Sequence, residues 1–273
     1  MKSHLVFFCI LSVTTWAGAD SRLTVADPFT DHMVLQQGRK IPVWGTAADG
    51  SRIVVQLNGK KAAATAKEGK WMVRLPSMKQ GGPWDMTVRS ADSTIVLRDI
   101  LLGEVWLASG QSNMEWTLVN AMNAESEMAS ADYPNIRFFT AEKAFSTVPL
   151  RSVKGSWEVC SPETAGRFSA VAYFFARKLH VDDGLNVGII HTSWGGTPAE
   201  AWTDLRTLES EPTLKPLLAS FEAFRKDAGR SLAEAAKKMD DWNAYWDGRF
   251  ADDTTVRAGW ADPDSGTENW TRV

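Results

Sequence analysis

A serine in the setting of a nucleophile stands in the stretch from Gly103 to Trp116, GEVWLASGQSNMEW. An apolar run leads into a tight turn, and residues that can open a helix follow, so Ser112 is expected at the carboxyl end of a strand. Ligands bind at that end of the strands in open α/β sheets. A serine hydroxyl attacks well only when a base takes its proton and donors receive the oxyanion. The stretch predicts either a catalytic turn or a purely structural one.

A second turn, Ser193–Thr197, follows a strand expected over Leu185 to His191. The N–H of Ser112 and one from Gly195 or Gly196 could supply two oxyanion donors, because glycine lets the backbone approach a substrate closely. The first turn alone is weak evidence, since Met114 stands where the nucleophile-elbow pattern has its final glycine. Cys160 is a second possible nucleophile, but no histidine lies near it in sequence. Free cysteine is among the most often buried residue types, and we expect Cys160 to be packed and inert.

The bulk composition excludes several classes of function. The chain has 273 residues, 44% of them hydrophobic, and a formal net charge of −3. It has no block of like charge of the kind that binds nucleic acid or an anionic membrane. After the N-terminus no stretch reaches the roughly 18 apolar residues that a membrane span needs. Residues 1–19 have the pattern of a signal peptide, which predicts export to the periplasm or the extracellular space.

The elements that must position these turns fall into segments. Residues 20–99 predict a small β-sandwich of immunoglobulin-like type, with a hairpin at Asn58-Gly59. Residues 100–204 predict a parallel sheet with crossover helices. There Ile100–Ala108 is expected to be a strand covered on both faces, Met114 to about Ser130 is helix-compatible, and a later helix begins at Ser169 and stops at Asp183-Gly184. Residues 205–250 predict a helical insertion broken around Pro212 and Pro216, and residues 251–273 the start of an incomplete inserted region.

Several stretches together resemble the sialate O-acetylesterase family, whose esterase core belongs to the SGNH hydrolases. They are GEVWLASGQSNMEW, HTSWGGTPAEAW at 191–202 and FTDHMVLQ at 29–36, with WEVCSPETAGRFSAVAYFFARKL at 157–179 similar to the family segment before the second motif. The likeness extends from about residue 23 to 204. It implies an α/β fold in which residues 100–204 form the N-terminal part of an SGNH-like esterase domain, preceded by the immunoglobulin-like β-sandwich.

The resemblance also implies an activity, the removal of O-acetyl groups from sialic acids or related acetylated sugars without a metal or other cofactor. By position, Ser112 matches the family nucleophile, and Gly195-Gly196 matches the motif that supplies an oxyanion N–H. Gln111 and Asn113 match positions around the nucleophile and are expected to support its turn. The expected partner is an acetylated sugar or glycan. Acetylated xylan is the main competing substrate, and the sequence does not decide the oligomeric state.

Two family motifs are not found in this sequence. One is a Gly-Glu-Ser-Asn-like stretch that supplies another oxyanion donor, and the other is the late Asp-x-x-His-type motif that supplies the base and its orienting acid. After the predicted signal only His32, His180 and His191 remain, and His191 is the best placed substitute base because strand ends of one sheet can be neighbours. Two hypotheses stay open. The chain is either a portion of a serine esterase, or a catalytically incomplete remnant or glycan-binding module that uses Trp194, Trp202 and Trp116 as stacking surface.

Overall fold

The computed structural model describes residues 22–144, 146, 150 and 152–227, and the single positions 230, 234, 237, 238, 240, 241 and 244. The predicted signal peptide at 1–19 and the predicted inserted region at 251–273 lie outside the described residues. The chain divides into two compact units, one ending at Trp202 and the other beginning at Thr203. The predicted turns at 109–113 and 193–197 both belong to the first unit.

Seven strands follow one another before the first candidate turn. They are β1 Val34–Gln36, β2 Ile41–Thr46, β3 Arg52–Leu57, β4 Lys60–Thr65, β5 Lys70–Leu75, β6 Gly81–Arg89 and β7 Thr94–Ala108. Every second residue of β3 faces the core, where Ile53, Val55 and Leu57 are fully buried. The predicted hairpin is confirmed, since Asn58 and Gly59 both have positive φ and connect the antiparallel strands β3 and β4.

The long strand β7 organises the first unit. Its first half pairs antiparallel with β6, and Leu101–Gly103 pairs in parallel with β1. From Glu104 to Ala108 it pairs in parallel with β10, Val187–His191. The eight-stranded sheet has the order β4-β3-β6-β7-β10-β8-β9, with β1 beside β7 and with β2 and β5 forming a separate pair. Because β7 runs unbroken through the predicted 99/100 boundary, the antiparallel and parallel parts share one strand.

The expectation that the whole run from Ile100 to Ala108 is covered on both faces is wrong at its end. Ile100 and Leu102 are fully buried, whereas Trp106 is 46% exposed and Leu107 is 68% exposed. The reason is that β1 ends opposite Gly103. Beyond that point β7 pairs only with β10 among the described residues, so a side chain there gains cover from one neighbour alone.

The parallel part of the sheet is completed by β8, Tyr133–Ala141, which pairs with β10, and β9, Gly155–Cys160, adds an antiparallel strand beside β8. A crossover helix, α3, covers Ala170–Asp183 between β9 and β10. The predicted bounds of this helix are confirmed, because the Ser169 hydroxyl accepts a hydrogen bond from Ala172 N at 3.3 Å and Gly184 ends the helix at φ 65°. The mixed α/β architecture with a largely parallel central sheet thus agrees with the sequence prediction.

The helix-compatible stretch from Met114 to about Ser130 forms three short helical pieces rather than one helix. They are α1 Ser112–Glu115, a 3-10 turn at Leu118–Asn120 and α2 Ala124–Ala129. Trp116 leaves the helical region at ψ 117°, because its carbonyl accepts a hydrogen bond from Ala170 N and Thr117 bridges to Ser169. Packing against the start of α3 therefore overrides the local helix propensity.

A buried arginine, Arg137, joins β8, β7 and the segment that contains His32. Arg137 of β8 is 3% exposed, and its Nη1 and Nη2 donate to Asp99 of β7 at 2.9 and 3.2 Å. Further donations reach the carbonyls of Pro134 at 2.7 Å, His32 at 3.0 Å and Asp99 at 3.1 Å. His32 Nδ1 lies 2.6 Å from Asp99 Oδ2. Partial burial opposes ionisation of Asp99, but these hydrogen bonds outweigh it and hold its pKa below the ordinary value.

The second unit begins with two helices in its described part, α4 Leu205–Ser210 and α5 Lys215–Lys226. Asp204 caps α4 by accepting a hydrogen bond from Thr207 N at 3.1 Å. Pro212 opens a 3-10 turn between the helices, and Pro216 lies in the first turn of α5. The predicted helices and their break are confirmed up to residue 227. No helix in the described part of the chain is long and apolar enough to span a membrane.

Candidate active site

The parallel pairing of β7 with β10 places the two predicted turns side by side. The pairing continues past the strand ends, because Thr192 N donates to Ala108 O and Trp194 N donates to Gly110 O, both at 2.9 Å. A Cβ placed on Gly195 would lie 3.6 Å from Cα and Cβ of Ser112. The structure thus brings together Ser112 and the Gly195-Gly196 pair, which lie more than 80 positions apart in the sequence.

Ser112 is the first residue of α1 and is exposed to solvent. Its hydroxyl donates to Oε1 of Gln111 at 2.5 Å. The carbonyl of Gln111 accepts from the N–H groups of Met114 and Glu115, which closes the turn. The Asn113 side chain forms no hydrogen bond with the described residues. An amide oxygen such as Gln111 Oε1 orients the hydroxyl but is too weak a base to take its proton.

The backbone donors at the two turns differ in their partners. Gly195 N donates to the Glu115 carboxylate. Within the described residues, neither the Ser112 N–H nor the Gly196 N–H donates a hydrogen bond. Gly196 has φ 77°, a backbone conformation that favours glycine. At these turns two backbone N–H groups, one from each motif, thus have no acceptor in the part of the chain that the structure describes.

Glu115 and Lys143 form an ion pair beside the turns that the sequence analysis did not identify. The Lys143 ammonium and then the Gly195 N–H hold the pKa of Glu115 below its ordinary value. Lys143 Nζ also lies 5.7 Å from the centre of the Trp194 ring. Glu115 could have been identified from the sequence, because residues three apart on a helical turn lie on the same face and Glu115 follows Ser112 by three. Lys143 carries no comparable signal, because only the fold brings it to the site.

His191 lies at the end of β10 but does not contact the Ser112 hydroxyl. It is 7% exposed, and its Nε2 lies 2.6 Å from Oγ of Ser193. Burial lowers its pKa and outweighs the opposing effects of Met114 and Glu115. A histidine that is neutral and already paired in this way lacks the contact with Ser112 that a general base requires.

The other two histidines in the described residues have partners elsewhere. His32 pairs with Asp99 and belongs to the Arg137 cluster. His180 Nδ1 lies 2.7 Å from the carbonyl of Leu185, near the end of α3. Cys160 is buried as expected at 1% exposure, and burial raises the pKa of its thiol to about 12. Of the two serine and cysteine candidates from the sequence, Ser112 is exposed and Cys160 is buried.

A cavity of about 710 Å³ adjoins the second turn. It is lined by Lys143, Thr192, Ser193, Trp194 and Trp202, among others. Trp194 and Trp202 are 39% and 40% exposed. Thr197 ties them together, since its hydroxyl donates to the Trp194 carbonyl at 2.6 Å and accepts from Nε1 of Trp202 at 2.8 Å. An open cavity with two fixed indole faces suits a ring-shaped, partly apolar ligand such as a sugar.

Comparisons with known proteins fit this geometry. The sialate O-acetylesterase of Rattus norvegicus is 30% identical over 78% of this chain and 45% of its own length, and that of Homo sapiens is 31% identical over 76% and 44%. The crystal structure of a carbohydrate acetylesterase from Xanthomonas citri superposes with a TM-score of 0.67 at 38% identity, covering 68% of this chain and 43% of that one. No family model matches the chain.

The chain thus spans somewhat less than half the length of the curated relatives that it matches. The matched proteins are named as esterases that act on acetyl groups of sialate or other carbohydrates. The three stretches that carry the resemblance, the paired turns at the ends of β7 and β10, and the alignments all point the same way. Over the residues that align, the chain belongs to the sialate O-acetylesterase family.

Proposed function

We propose that this chain carries the nucleophile half of a serine esterase that hydrolyses O-acetyl esters of sialic acids or related acetylated sugars. The observation that carries the proposal is the placement of Ser112 beside the Gly195-Gly196 turn at the ends of two parallel strands. A serine near backbone N–H groups that have no acceptor among the described residues supports acyl transfer at this end of the sheet. The relatives support the substrate class through their names.

The proposed reaction has two steps. Ser112 Oγ attacks the acetyl carbonyl carbon, its proton passes to a base, and the carbonyl oxygen becomes an oxyanion that accepts from the Ser112 N–H and from the Gly195-Gly196 turn. Collapse breaks the bond to the sugar oxygen, which takes the proton back from the base and leaves as a hydroxyl, and an acetyl group remains on Ser112. Water then attacks the acetyl-enzyme with the help of the same base and releases acetate. The chemistry requires no metal or other cofactor.

The base is proposed to be a histidine other than His191. His191 Nε2 is engaged by Ser193, and the histidine that such a reaction needs must have a free nitrogen facing Ser112. We propose that it comes, with its orienting acid, from a segment equivalent to the half of the relatives that the alignments do not reach. The Gly-Glu-Ser-Asn-like donor would come from the same half.

The proposal includes four further properties that the sequence predicts. They are the SGNH type of the core, the immunoglobulin-like type of the N-terminal strands, the supporting roles of Gln111 and Asn113, and export guided by residues 1–19. Gln111 is the better supported of the two residues, since its Oε1 accepts a hydrogen bond from the Ser112 hydroxyl. Export fits the substrate class, because acetylated glycans are displayed outside the cytoplasm.

A second candidate is a glycan-binding module without catalysis. It is favoured by the exposed indoles of Trp194, Trp202 and Trp116, the last of which is 56% exposed. Stacking of a sugar ring on such faces needs no base. This candidate predicts that the chain binds acetylated and deacetylated sugars alike, whereas the esterase predicts a chemical change at the acetyl group.

The two candidates separate in one assay on the purified chain without residues 1–19. Acetate release is measured from p-nitrophenyl acetate, O-acetylated sialic acid and acetylated xylan, with Ser112→Ala as the paired variant. Release that disappears in Ser112→Ala supports the esterase and overturns the binding module. Release that is equal in the two proteins overturns Ser112 as the nucleophile. Absence of release both from this chain alone and after the part of a relative that the alignments do not reach is supplied, together with sugar binding lost in Trp194→Ala, supports the module.

A further inference from the structure

Glu115 connects the nucleophile turn to the second turn through both of its carboxylate oxygens. Oε2 accepts a hydrogen bond from Gly195 N, and Oε1 pairs with the Lys143 ammonium. The Glu115 side chain is 32% exposed and that of Lys143 is 47% exposed. Three separate parts of the chain, namely α1, the 193–197 turn and the segment after β8, therefore meet at one carboxylate.

A side chain at Gly195 would displace the Glu115 carboxylate from its present position. A Cβ there would lie 2.7 Å from Glu115 Oε2 and 3.6 Å from Ser112 Cα, and the first of these distances is shorter than a van der Waals contact. The glycine at 195 thus lets the carboxylate reach the peptide N–H from the side on which Ser112 lies. The contact is specific to the Gly195 peptide, since the next N–H, that of Gly196, donates no hydrogen bond to the described residues.

We infer that Glu115 is a positioning residue, which fixes the Gly195 peptide with the help of Lys143 and leaves the Gly196 N–H as the oxyanion donor of the second motif. This inference rests on the proposed function for the donor and on the described contacts for the positioning. A hydrogen bond to a carboxylate is stronger than one between neutral groups. The Gly195 N–H is therefore committed to Glu115, and the two glycines have different roles.

Lys143 is needed because the negative charge of an unpaired Glu115 carboxylate would repel the oxyanion that forms nearby. The ammonium offsets that charge and keeps the carboxylate ionised. The lowered pKa of Glu115 means that the carboxylate stays an acceptor until the pH falls below the ordinary glutamate range. Protonation then weakens its bond to Gly195, so the Gly195 amide reports directly on the contact.

Selective labelling isolates that amide. Only Trp44-Gly45 and Trp194-Gly195 are Trp-Gly pairs in this sequence, so carbonyl-¹³C tryptophan combined with ¹⁵N-glycine gives two correlated amide signals. Gly45 lies in β2, paired with Trp71 of β5, and serves as the internal reference. We expect the Gly195 signal to titrate with a midpoint below the glutamate reference value of about 4.3, while the Gly45 signal stays constant over that step.

Three variants test the assignment. Glu115→Gln keeps an oxygen acceptor and abolishes the titration, Glu115→Ala abolishes it and moves the Gly195 signal at neutral pH, and Lys143→Met moves the midpoint upward. The matched control is Glu158→Gln, which breaks the ion pair of Glu158 with Arg167 and leaves the titration unchanged. A Gly195 signal that does not titrate, or that still titrates in Glu115→Gln, overturns the positioning role.

The donor assignment has its own readout. Gly81-Gly82 and Gly195-Gly196 are the only Gly-Gly pairs, so carbonyl-¹³C, ¹⁵N-glycine labelling isolates the Gly196 amide. After reaction with diethyl p-nitrophenyl phosphate, a phosphoryl oxygen on Ser112 is expected to shift the Gly196 signal more than the Gly195 signal. A larger shift at Gly195 overturns the donor assignment. Absence of a Ser112 adduct, when the part of a relative that the alignments do not reach is supplied as an unlabelled polypeptide, counts against the proposed function and the donor role together, and the titration still decides the role of Glu115.

Discussion

Replacing Arg137 by methionine is predicted to be among the most destabilising single changes in the first unit. Methionine keeps an unbranched chain of similar reach but removes every donor. The change leaves the Asp99 carboxylate, 31% exposed, with His32 but without the guanidinium, and it leaves the carbonyls of His32 and Pro134 without the donations they receive at 3.0 and 2.7 Å. The cost arises from these orphaned acceptors rather than from lost apolar area.

The size of the effect follows from the burial of the arginine. Removing one partner of a buried ion pair costs about 3–5 kcal/mol, whereas an exposed pair contributes about 0–1 kcal/mol. With the Arg137 side chain 4% exposed, the loss belongs to the first range. At a urea dependence of about 3 kcal/mol per M, the unfolding midpoint falls by roughly 1–2 M.

The assay is urea unfolding at pH 7, followed by tryptophan fluorescence. Arg167→Met is the matched control, because Arg167 pairs with Glu158 while its side chain is 58% exposed. A double-mutant cycle with Asp99→Asn is expected to give a coupling energy of about 1–3 kcal/mol. Equal midpoints for Arg137→Met and Arg167→Met would refute the reasoning that burial makes this cluster matter.

Two further predictions concern groups whose pKa is shifted by burial. Because the pKa of His191 is lowered in the folded state, the unfolded state binds the proton more readily, and the stability is expected to fall as the pH drops from 7 to 5. His191→Gln is expected to reduce this fall in the urea midpoint, and a variant that keeps the wild-type pH dependence would contradict the assigned cause. Cys160, with its pKa raised to about 12, is expected to react with a thiol-specific disulfide reagent at pH 8 only in urea, and rapid reaction of the native protein would contradict its burial.

The sequence was sufficient to predict the two turns that form the site. Apolar runs end at both, and each ends in glycine-containing segments, so Ser112 and the Gly195-Gly196 pair could be named before any coordinates. The hairpin at Asn58-Gly59 and the cap at Ser169 were equally predictable, because each depends on a local hydrogen bond or on a backbone angle that few residue types adopt.

Other features depend on contacts between distant segments and could not be predicted from local pattern. Lys143 reaches Glu115, and Arg137 reaches Asp99, only after β8 has paired with β10. The break after Glu115 follows from the bridge between Thr117 and Ser169, which no property of residues 112–130 encodes. The exposure of Leu107 depends on where β1 stops. In each case the deciding partner lies more than 25 positions away.

The most direct test of Ser112 as the nucleophile compares wild type with Ser112→Ala, each supplied with the part of a relative that the alignments do not reach, after exposure to p-nitrophenyl acetate and O-acetylated sialic acid. Peptide mass spectrometry locates the acetyl group, and released acetate is measured in parallel. In the wild type we expect an acetyl group on the peptide that contains Ser112. In Ser112→Ala we expect both this adduct and the enzyme-dependent acetate release to be lost. Acetate release that persists in Ser112→Ala, or an acetyl group found only on other residues, would contradict Ser112 as the nucleophile.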